Sequence, residues 1–377
     1  MRILHIDPDD LGNPLAGGGP MRTWEICRRL ASRHEITVLT PTFPGSTPTL
    51  MRQGVRYQRL GRKIGNHGSS HHLTFLAGLP RAVRRHDYDL LVEDFMPPCA
   101  ATWTPWFARR GRPLVASVQW FFAHEYTRRL HLPFHWGEEY GIRMYRHFIV
   151  LTNSMKATIE ARHARADCRL VPNGVDDALF GLTPHAGDFA LYLGRLELSA
   201  KGLDLLLQAF ASIPEGERIP LLVAGTGHEL AAWERLLEQS RLRPWVRCVG
   251  HVDAAERNRL LQACRFLVVP SRIETFGMTI AEANAAATPV ILWDRAPMNE
   301  VAAPSNRRVG AFDTQAYGAA MRALIRATDE EVRNQGIEAR MWARRYDWNT
   351  AAQAQEDYYL NLVEAHRARA SRSAART

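Results

Sequence analysis

Glu274 and Glu282 stand eight positions apart in the stretch RIETFGMTIAEAN (272–284), with Gly277 between them and the apolar run FLVVPS just before. A short apolar run bounded by polar residues reads as a buried strand, and the segment after Gly277 reads as a helix. The chain therefore leaves a strand, turns through ETFG, and enters a helix whose first free amides belong to Gly277, Met278 and Thr279. Such N–H groups, with the helix dipole behind them, form an anion site. Glu282 lies about one turn into the helix and Glu274 precedes the turn. A diphosphate carrying a hydroxyl-rich group at each end would engage all three parts. Two solvated glutamates around a turn glycine would explain the pair alone, but the pair embedded in strand, ETFG and helix is far more specific.

Four further loops have unusual content. In LYLGRLELSAKGLDLL, Arg195 follows a strand and Gly194, and Lys201 comes six residues later, just before a helix. Two cations at strand ends suit the charge that develops on a departing phosphate; an exposed pair without function fits these residues equally well. Lys201 stands out because only Lys63, Lys156 and Lys201 among the 48 basic residues are lysine. VAGTG (223–227) and VGHV (249–252) end two more strands, where glycine lets backbone approach a flat ring; alone, each reads as a turn. LAGGGP sets Gly17, Gly18 and Gly19 ahead of a helix with Pro20 at its first position, but the spacing is not G-x-G-x-x-G.

The elements that must position these loops follow from periodicity. MRILHID is a strand, MRTWEICRRLASRH repeats Met21, Trp24, Cys27 and Leu30 at three-residue steps, and EITVLT returns as a strand. The same alternation recurs after residue 187: FALYLGRL then KGLDLLLQAFASI, PLLVAGTG then HELAAWERLLEQS, VRCVGHV then DAAERNRLLQAC, FLVVPS then MTIAEANAAA, and PVILWD. Asp253, with Glu256 three residues on, reads as an N-cap with a capping-box partner. Strands alternating with helices imply parallel sheets covered on both faces. DYDLLVED, PLVASVQW and HFIVLTN are further strands of the first half, while 61–80 and 120–140 read as irregular or short-helix segments. The simplest partition is two doubly wound domains joined near 170–187. Ligands of such sheets sit beyond the carboxyl ends of the strands, where these loops lie.

Composition excludes several classes. A chain of 377 residues with 46% hydrophobic content is long enough for two or three cored domains. MRILHIDPDD offers no signal peptide and no run approaches the roughly 18 apolar residues of a membrane span, so the expected location is the cytoplasm. Five scattered cysteines without CxxC spacing argue against disulfides or a zinc site. The net charge of +9 is uneven: residues 1–160 hold 21 Lys and Arg against 13 Asp and Glu, and 366–377 adds four Arg and no acid. No nucleic-acid-binding motif accompanies this bias, which better suits an anionic ligand or surface. The segment 366–377, HRARASRSAART, reads as a disordered basic tail.

Taken together, VPNGVD (171–176), GRLELSAKG (194–202), VAGTG, VGHV and ETFGMTIAEA (274–283), preceded by the glycine loop and HEITVLT, resemble the retaining glycosyltransferases of family four over essentially the whole chain. The resemblance implies the GT-B fold, two Rossmann-like domains facing across a cleft: 1–170 for the acceptor, with a C-terminal helix over 350–365 packing back on it, and 171–349 for the sugar nucleotide. Glu274 and Glu282 become the family's E-x(7)-E signature. Glu274 would contact the transferred sugar, Glu282 the ribose, and the amides of Gly277, Met278 and Thr279 the diphosphate, with Phe276, Gly194 and Asn173 in the same donor site. Arg195 and Lys201 would meet the leaving diphosphate, the backbone of His251 and Val252 would face the base, and Gly18 and Gly19 would close over the phosphates. No cofactor or metal is implied beyond the sugar nucleotide, with UDP the expected base.

Two departures stand out. Where many members carry a histidine after the strand LVASVQW, this chain has Gln119, which hydrogen-bonds but is no base near neutral pH; Gln119, Trp120 and His124 are the expected acceptor contacts. In RAPMNEV (295–301) the family's paired glycines ahead of Glu300 are absent. The expected activity is metal-independent retaining transfer to a hydroxyl of a small molecule or glycan, in secondary-metabolite or cell-envelope glycoside synthesis. A GT-B epimerase, a phosphorylase or a non-catalytic sugar-nucleotide-binding protein would share the scaffold and differ in products. No amphipathic basic helix of the membrane-surface kind is visible, which favours a soluble acceptor.

Overall fold

A computed structural model describes residues 1–13, 18–62, 70–96, 103–119, 121, 123–131 and 133–374. The chain forms two compact units, one of residues 1–173 with 348–377 and one of 174–347. In the first, strands β1 (Arg2–Ile6), β2 (Glu35–Pro41), β3 (Thr49–Arg52), β4 (Val55–Leu60), β5 (Leu90–Phe95), β6 (Leu114–Val118), β7 (His147–Val150) and β8 (Asp167–Leu170) lie in the order β3-β4-β2-β1-β5-β6-β7-β8. All neighbours are parallel except β3 and β4. Between the strands run α1 (Gly19–Leu30), α2 (Ser70–Arg85), α3 (Thr104–Phe107), α4 (Ala123–Leu130), α5 (Phe134–Met144) and α6 (Asn153–Arg162).

The second unit is a six-stranded, wholly parallel sheet of β9 (Ala190–Leu193), β10 (Leu221–Ala224), β11 (Val246–Gly250), β12 (Phe266–Val269), β13 (Val290–Trp293) and β14 (Arg307–Val309), in the order β11-β10-β9-β12-β13-β14. Its helices are α7 (Leu198–Lys201), α8 (Leu203–Ala211), α9 (Leu230–Gln239), α10 (Ala254–Ala263), α11 (Met278–Ala285), α12 (Met298–Val301), α13 (Thr314–Arg326) and α14 (Asp329–Ala343). The strands bury both faces, as FLVV and VILW show by being apolar at every position.

The first unit closes with α15 (Trp348–Ala374). Trp348, Ala351, Ala352, Tyr359, Leu362 and Val363 recur at helical spacing and share a core with Trp24, Cys27 and Leu30 of α1. The buried Arg22 of α1 donates to the Pro172 carbonyl at 3.2 Å, to Asn173 Oδ1 at 2.7 Å and to Gln355 Oε1 at 2.9 Å. That grip holds residues 171–173 in the first unit, so the division falls at 173/174 rather than 170/171.

Local differences from the sequence reading have local causes. The expected disordered tail is helical through Ala374: alanine and arginine favour helix, His366 Nδ1 and Ser371 Oγ bond to carbonyls one turn back, and Arg367 pairs with Asp89 at 3.3 Å. The segment 61–80, expected to be irregular or short-helix, contains most of the sixteen-residue α2, where Phe75, Leu79, Ala82 and Val83 are buried at helical spacing behind a histidine-rich start and Pro80. The β3–β4 hairpin, whose first strand is exposed along its whole length, turns on Gln53 and Gly54, both with positive φ. Asp253 does cap α10, accepting from the Glu256 N–H at 2.8 Å, but the Glu256 carboxylate pairs with Arg259 instead of returning to the cap. Both halves of a capping box are made at Thr328 and Glu331.

Leu206 in α8 is fully buried. Leu206→Ala is expected to cost about 2–5 kcal/mol, read as a lower urea midpoint for the transition of the second unit while that of the first is unchanged.

Candidate donor and acceptor sites

In the second unit, β9 and β12 lie side by side, yet the chain leaves β9 towards β10 on one side and leaves β12 towards β13 on the other. Their carboxyl ends are therefore the topological switch point, where an open parallel sheet leaves a crevice. Arg195 and Lys201 follow β9, and Ser271 and Glu274 follow β12.

Lys201 Nζ donates to Glu274 Oε1 at 2.6 Å and Ser271 Oγ donates to the same oxygen at 2.9 Å. The sequence separates these cationic and anionic groups by 73 residues; backbone bonds bring them together. The N–H groups of Arg272 and Ile273 both donate to the Ala200 carbonyl, at 2.9 and 3.1 Å. The Arg272 guanidinium donates to both oxygens of Asp204 at 2.6 Å and to the Leu198 carbonyl at 3.0 Å. Gly202 permits this approach, since a Cβ there would lie 2.1 Å from the Pro270 carbonyl oxygen. Arg195 does not join the pair: it is largely exposed and binds Glu197 at 2.8 Å.

Beyond Glu274 the chain turns at Gly277, whose φ of +96° is open to glycine and strained for other residues. Phe276 anchors the turn, buried edge-on to Tyr346 with ring centres 5.4 Å apart. Helical bonding resumes with the Ile280 N–H on the Gly277 carbonyl at 3.0 Å; among the described residues no hydrogen bond takes up the N–H of Gly277, Met278 or Thr279. Glu282, one turn on, is buried and receives Arg257 Nη1 on Oε1 at 2.9 Å. Burial pushes the Glu282 pKa up, and Arg257 opposes that shift. Arg257 Nη2 also reaches Asp176 Oδ2 at 3.4 Å. His251, exposed, and Val252, half-buried, lead from β11 into the helix that carries Arg257.

Sequence reasoning missed Arg257 and Ser271 as members of this site. Arg257 stands one turn past the Asp253 cap, but no pattern says which way its long side chain runs. Ser271 belongs to an otherwise ordinary PS step after the strand.

The first unit has its own switch point between β1 and β5, where register pairs Ile6 with Glu93 and so sets Asp7 level with Asp94. The buried Asp94 is met by His5 Nε2 at 3.2 Å, Thr23 Oγ1 at 3.1 Å and Gln119 Nε2 at 2.9 Å. Burial, and Asp94 beside it, hold the Asp7 pKa well above the usual carboxylate range. Gly18 caps α1 and Gly19 opens it. Gln119 Oε1 lies 3.8 Å from where a Gly19 Cβ would stand. His124 is exposed and stacks on His135 with ring centres 5.2 Å apart. Asn173, expected at the donor, has its side-chain oxygen committed to Arg22. Trp120 and Gly17 lie outside the described residues. Among the described residues no group of three or more His, Cys, Asp or Glu is placed to hold a metal ion, and no helix is long and apolar enough to cross a membrane.

Two family models match complementary stretches: Glycosyltransferase Family 4 over residues 16–179 and Glycosyl transferases group 1 over residues 181–341. A phosphatidyl-myo-inositol mannosyltransferase of Mycobacterium leprae is 28% identical over 372 residues, covering 93% of this chain and 94% of the relative. Among solved structures, the sucrose-phosphate synthase of Thermosynechococcus elongatus superposes with a TM-score of 0.80 at 20% identity, over 97% of this chain and 99% of that one. Anabaena HepE in complex with UDP and glucose gives 0.73 at 16% identity, over 95% and 99%. At these identities the structures speak for the fold: two Rossmann-like domains of the GT-B kind.

The Arg257–Glu282 pair makes a prediction about pH. Arg257→Met removes the charge that opposes burial, so the folded-state pKa of Glu282 rises further above its unfolded value. The folded protein then keeps a proton that the unfolded chain releases, and stability falls as pH rises through that interval. The thermal midpoint of Arg257→Met is expected to lie furthest below wild type near pH 8, with the gap narrowing towards pH 5; a gap independent of pH would exclude Arg257 as the group that opposes the upward shift of Glu282.

Proposed function

Because the chain belongs to the family 4, group 1 glycosyltransferases, we propose that it is a retaining, metal-independent enzyme that moves a sugar from a nucleoside diphosphate, UDP first among them, to a hydroxyl of a small molecule or glycan. The observation that carries this reading is the run of free amides at Gly277, Met278 and Thr279, flanked by the Lys201–Glu274 pair on one side and Glu282 on the other. An anion seated on those amides lies between a carboxylate suited to sugar hydroxyls and a carboxylate suited to ribose hydroxyls.

The proposed reaction follows from where charge develops. The bond from sugar to phosphate stretches to an oxocarbenium-like state, and the negative charge arriving on the diphosphate is met by Lys201, by the exposed Arg195, and by the helix amides. Glu274 holds Lys201 in place before the donor arrives and offers its second oxygen to the sugar. The acceptor hydroxyl attacks from the face that the diphosphate leaves, and a diphosphate oxygen takes its proton, since Gln119 cannot serve as base. His251 and Val252, at the end of β11, face the base. Support for UDP comes from the UDP complex of the Anabaena neighbour, and the Mycobacterium relative's name brings an inositol-bearing acceptor into the range to be tried.

Binding, turnover and product analysis test this. Thermal stabilisation without metal against UDP-, GDP- and dTDP-sugars should select one nucleotide series, and the shift should weaken in Glu282→Ala; a well-folded wild-type protein stabilised by none of them would remove the donor reading. Lys201→Ala should keep the fold and lose turnover by about a hundred- to thousandfold, or about 2.7–4 kcal/mol. Near-normal turnover in that variant would exclude Lys201 from the leaving group. The anomeric configuration of the product, read by NMR, separates retention from inversion, and an altered sugar nucleotide formed without acceptor would mark an epimerase.

A further inference from the structure

At the switch point of the first unit, Asp94 is 3% exposed and bonds to Gln119 through Nε2 and Oδ2. A carboxylate offers acceptors and an amide offers two donors at one end and an acceptor at the other. The bond to Asp94 therefore decides which end of Gln119 faces outward: the NH2 is drawn in and Oε1 is turned away. Oε1 is turned towards Gly19, the first residue of α1, where a missing side chain leaves space beside it. Among the described residues no hydrogen bond ends on that oxygen, although Gln119 is half-buried. Asp94 is itself fixed on its other oxygen by His5 and on the shared one by Thr23, so the platform beneath Gln119 is held from two further elements.

We propose that Asp94 is a positioning residue that presents Gln119 Oε1 at the glycine end of α1 to accept a hydrogen bond from a substrate hydroxyl. The ligand class, a polyhydroxylated group, rests on the glycosyltransferase reading above. The hydroxyl belongs either to the transferred sugar or to the acceptor, and the chemistry required of Gln119 is the same. A group in this position that could only donate would fail to read it.

The test is a double-mutant cycle with Asp94→Asn, Gln119→Met and their combination. Nucleotide release from UDP-glucose in water and transfer from UDP-glucose to a panel of monosaccharides and polyols are followed together. Asp94→Asn should lower kcat/KM by about tenfold, the scale of one hydrogen bond to a polar group, and should cost nothing further once Gln119→Met is present. Gln119→Glu should lose as much by setting two carboxylates against each other, and joining it to Asp94→Asn, which exchanges donor and acceptor across the pair, should recover most of the loss. A loss in both release and transfer assigns the hydroxyl to the sugar; a loss in transfer alone assigns it to the acceptor. Equal losses from Asp94→Asn with and without Gln119→Met would overturn the proposal, as would wild-type activity in a folded Gln119→Glu protein. The side-chain amide signal of Gln119, identified by its absence in Gln119→Met, should move and exchange faster in Asp94→Asn. This readout needs no substrate, so a protein inert to UDP-glucose would count against the donor reading while the unchanged or altered amide signal still decides the positioning.

Discussion

The site of the second unit depends on one constraint: two adjacent parallel strands whose outgoing connections diverge. β9 and β12 share a ladder, but their chains part at its end, so no loop crosses the gap and the polar groups that follow each strand are left facing it. The approach of the loop after β12 to α7 then becomes a matter of backbone bonds, and Gly202 is the residue whose missing side chain lets those bonds form. Lys201 and Glu274 meet because the backbone beneath them is already joined.

The second consequence is electrostatic. Each signature glutamate has a cation in hand before any ligand arrives, Lys201 for Glu274 and Arg257 for Glu282. Taking a carboxylate out of water is costly unless it is paired, and Glu282, buried on a helix, meets that cost with a guanidinium delivered from α10. The first unit solves the same problem differently. Its buried Asp94 is surrounded by a hydroxyl, an amide and an imidazole nitrogen, so the charge is dispersed over polar neighbours and the geometry of those neighbours becomes fixed in return. The same physical demand produces a charge pair in one place and an oriented amide in the other.

What could be read from sequence was what is local or periodic. The alternation of apolar strands and amphipathic helices identifies both sheets, the cap at Asp253 marks a helix start, and the scarcity of lysine singles out Lys201. The E-x(7)-E spacing places two acids around a helix start because all of its parts lie within thirteen residues. The partners of those acids were not legible: Arg257 lies 25 positions from Glu282, and only the folded chain brings its long side chain there. Asn173 shows the same limit, since nothing in its motif points to Arg22, 151 positions away, which donates to its side-chain oxygen. The helix α2 was hidden because histidines, serine and an internal proline blur its pattern at the point where its buried face begins.

The long return of α15 has a bearing on how the protein comes into being. The first unit is written in two pieces, and its inner helix α1 keeps Trp24, Cys27 and Leu30 waiting for Trp348, Tyr359 and Leu362. During synthesis the second unit emerges from the ribosome before those partners do, and it is contiguous, so it can begin to fold while the first unit still carries an uncovered apolar stripe and an Arg22 without Gln355. Of the two units, the one whose sequence starts first is thus completed second, and a ribosome that stops before residue 348 releases a nascent chain in which the α1 stripe is open to chaperones and proteases.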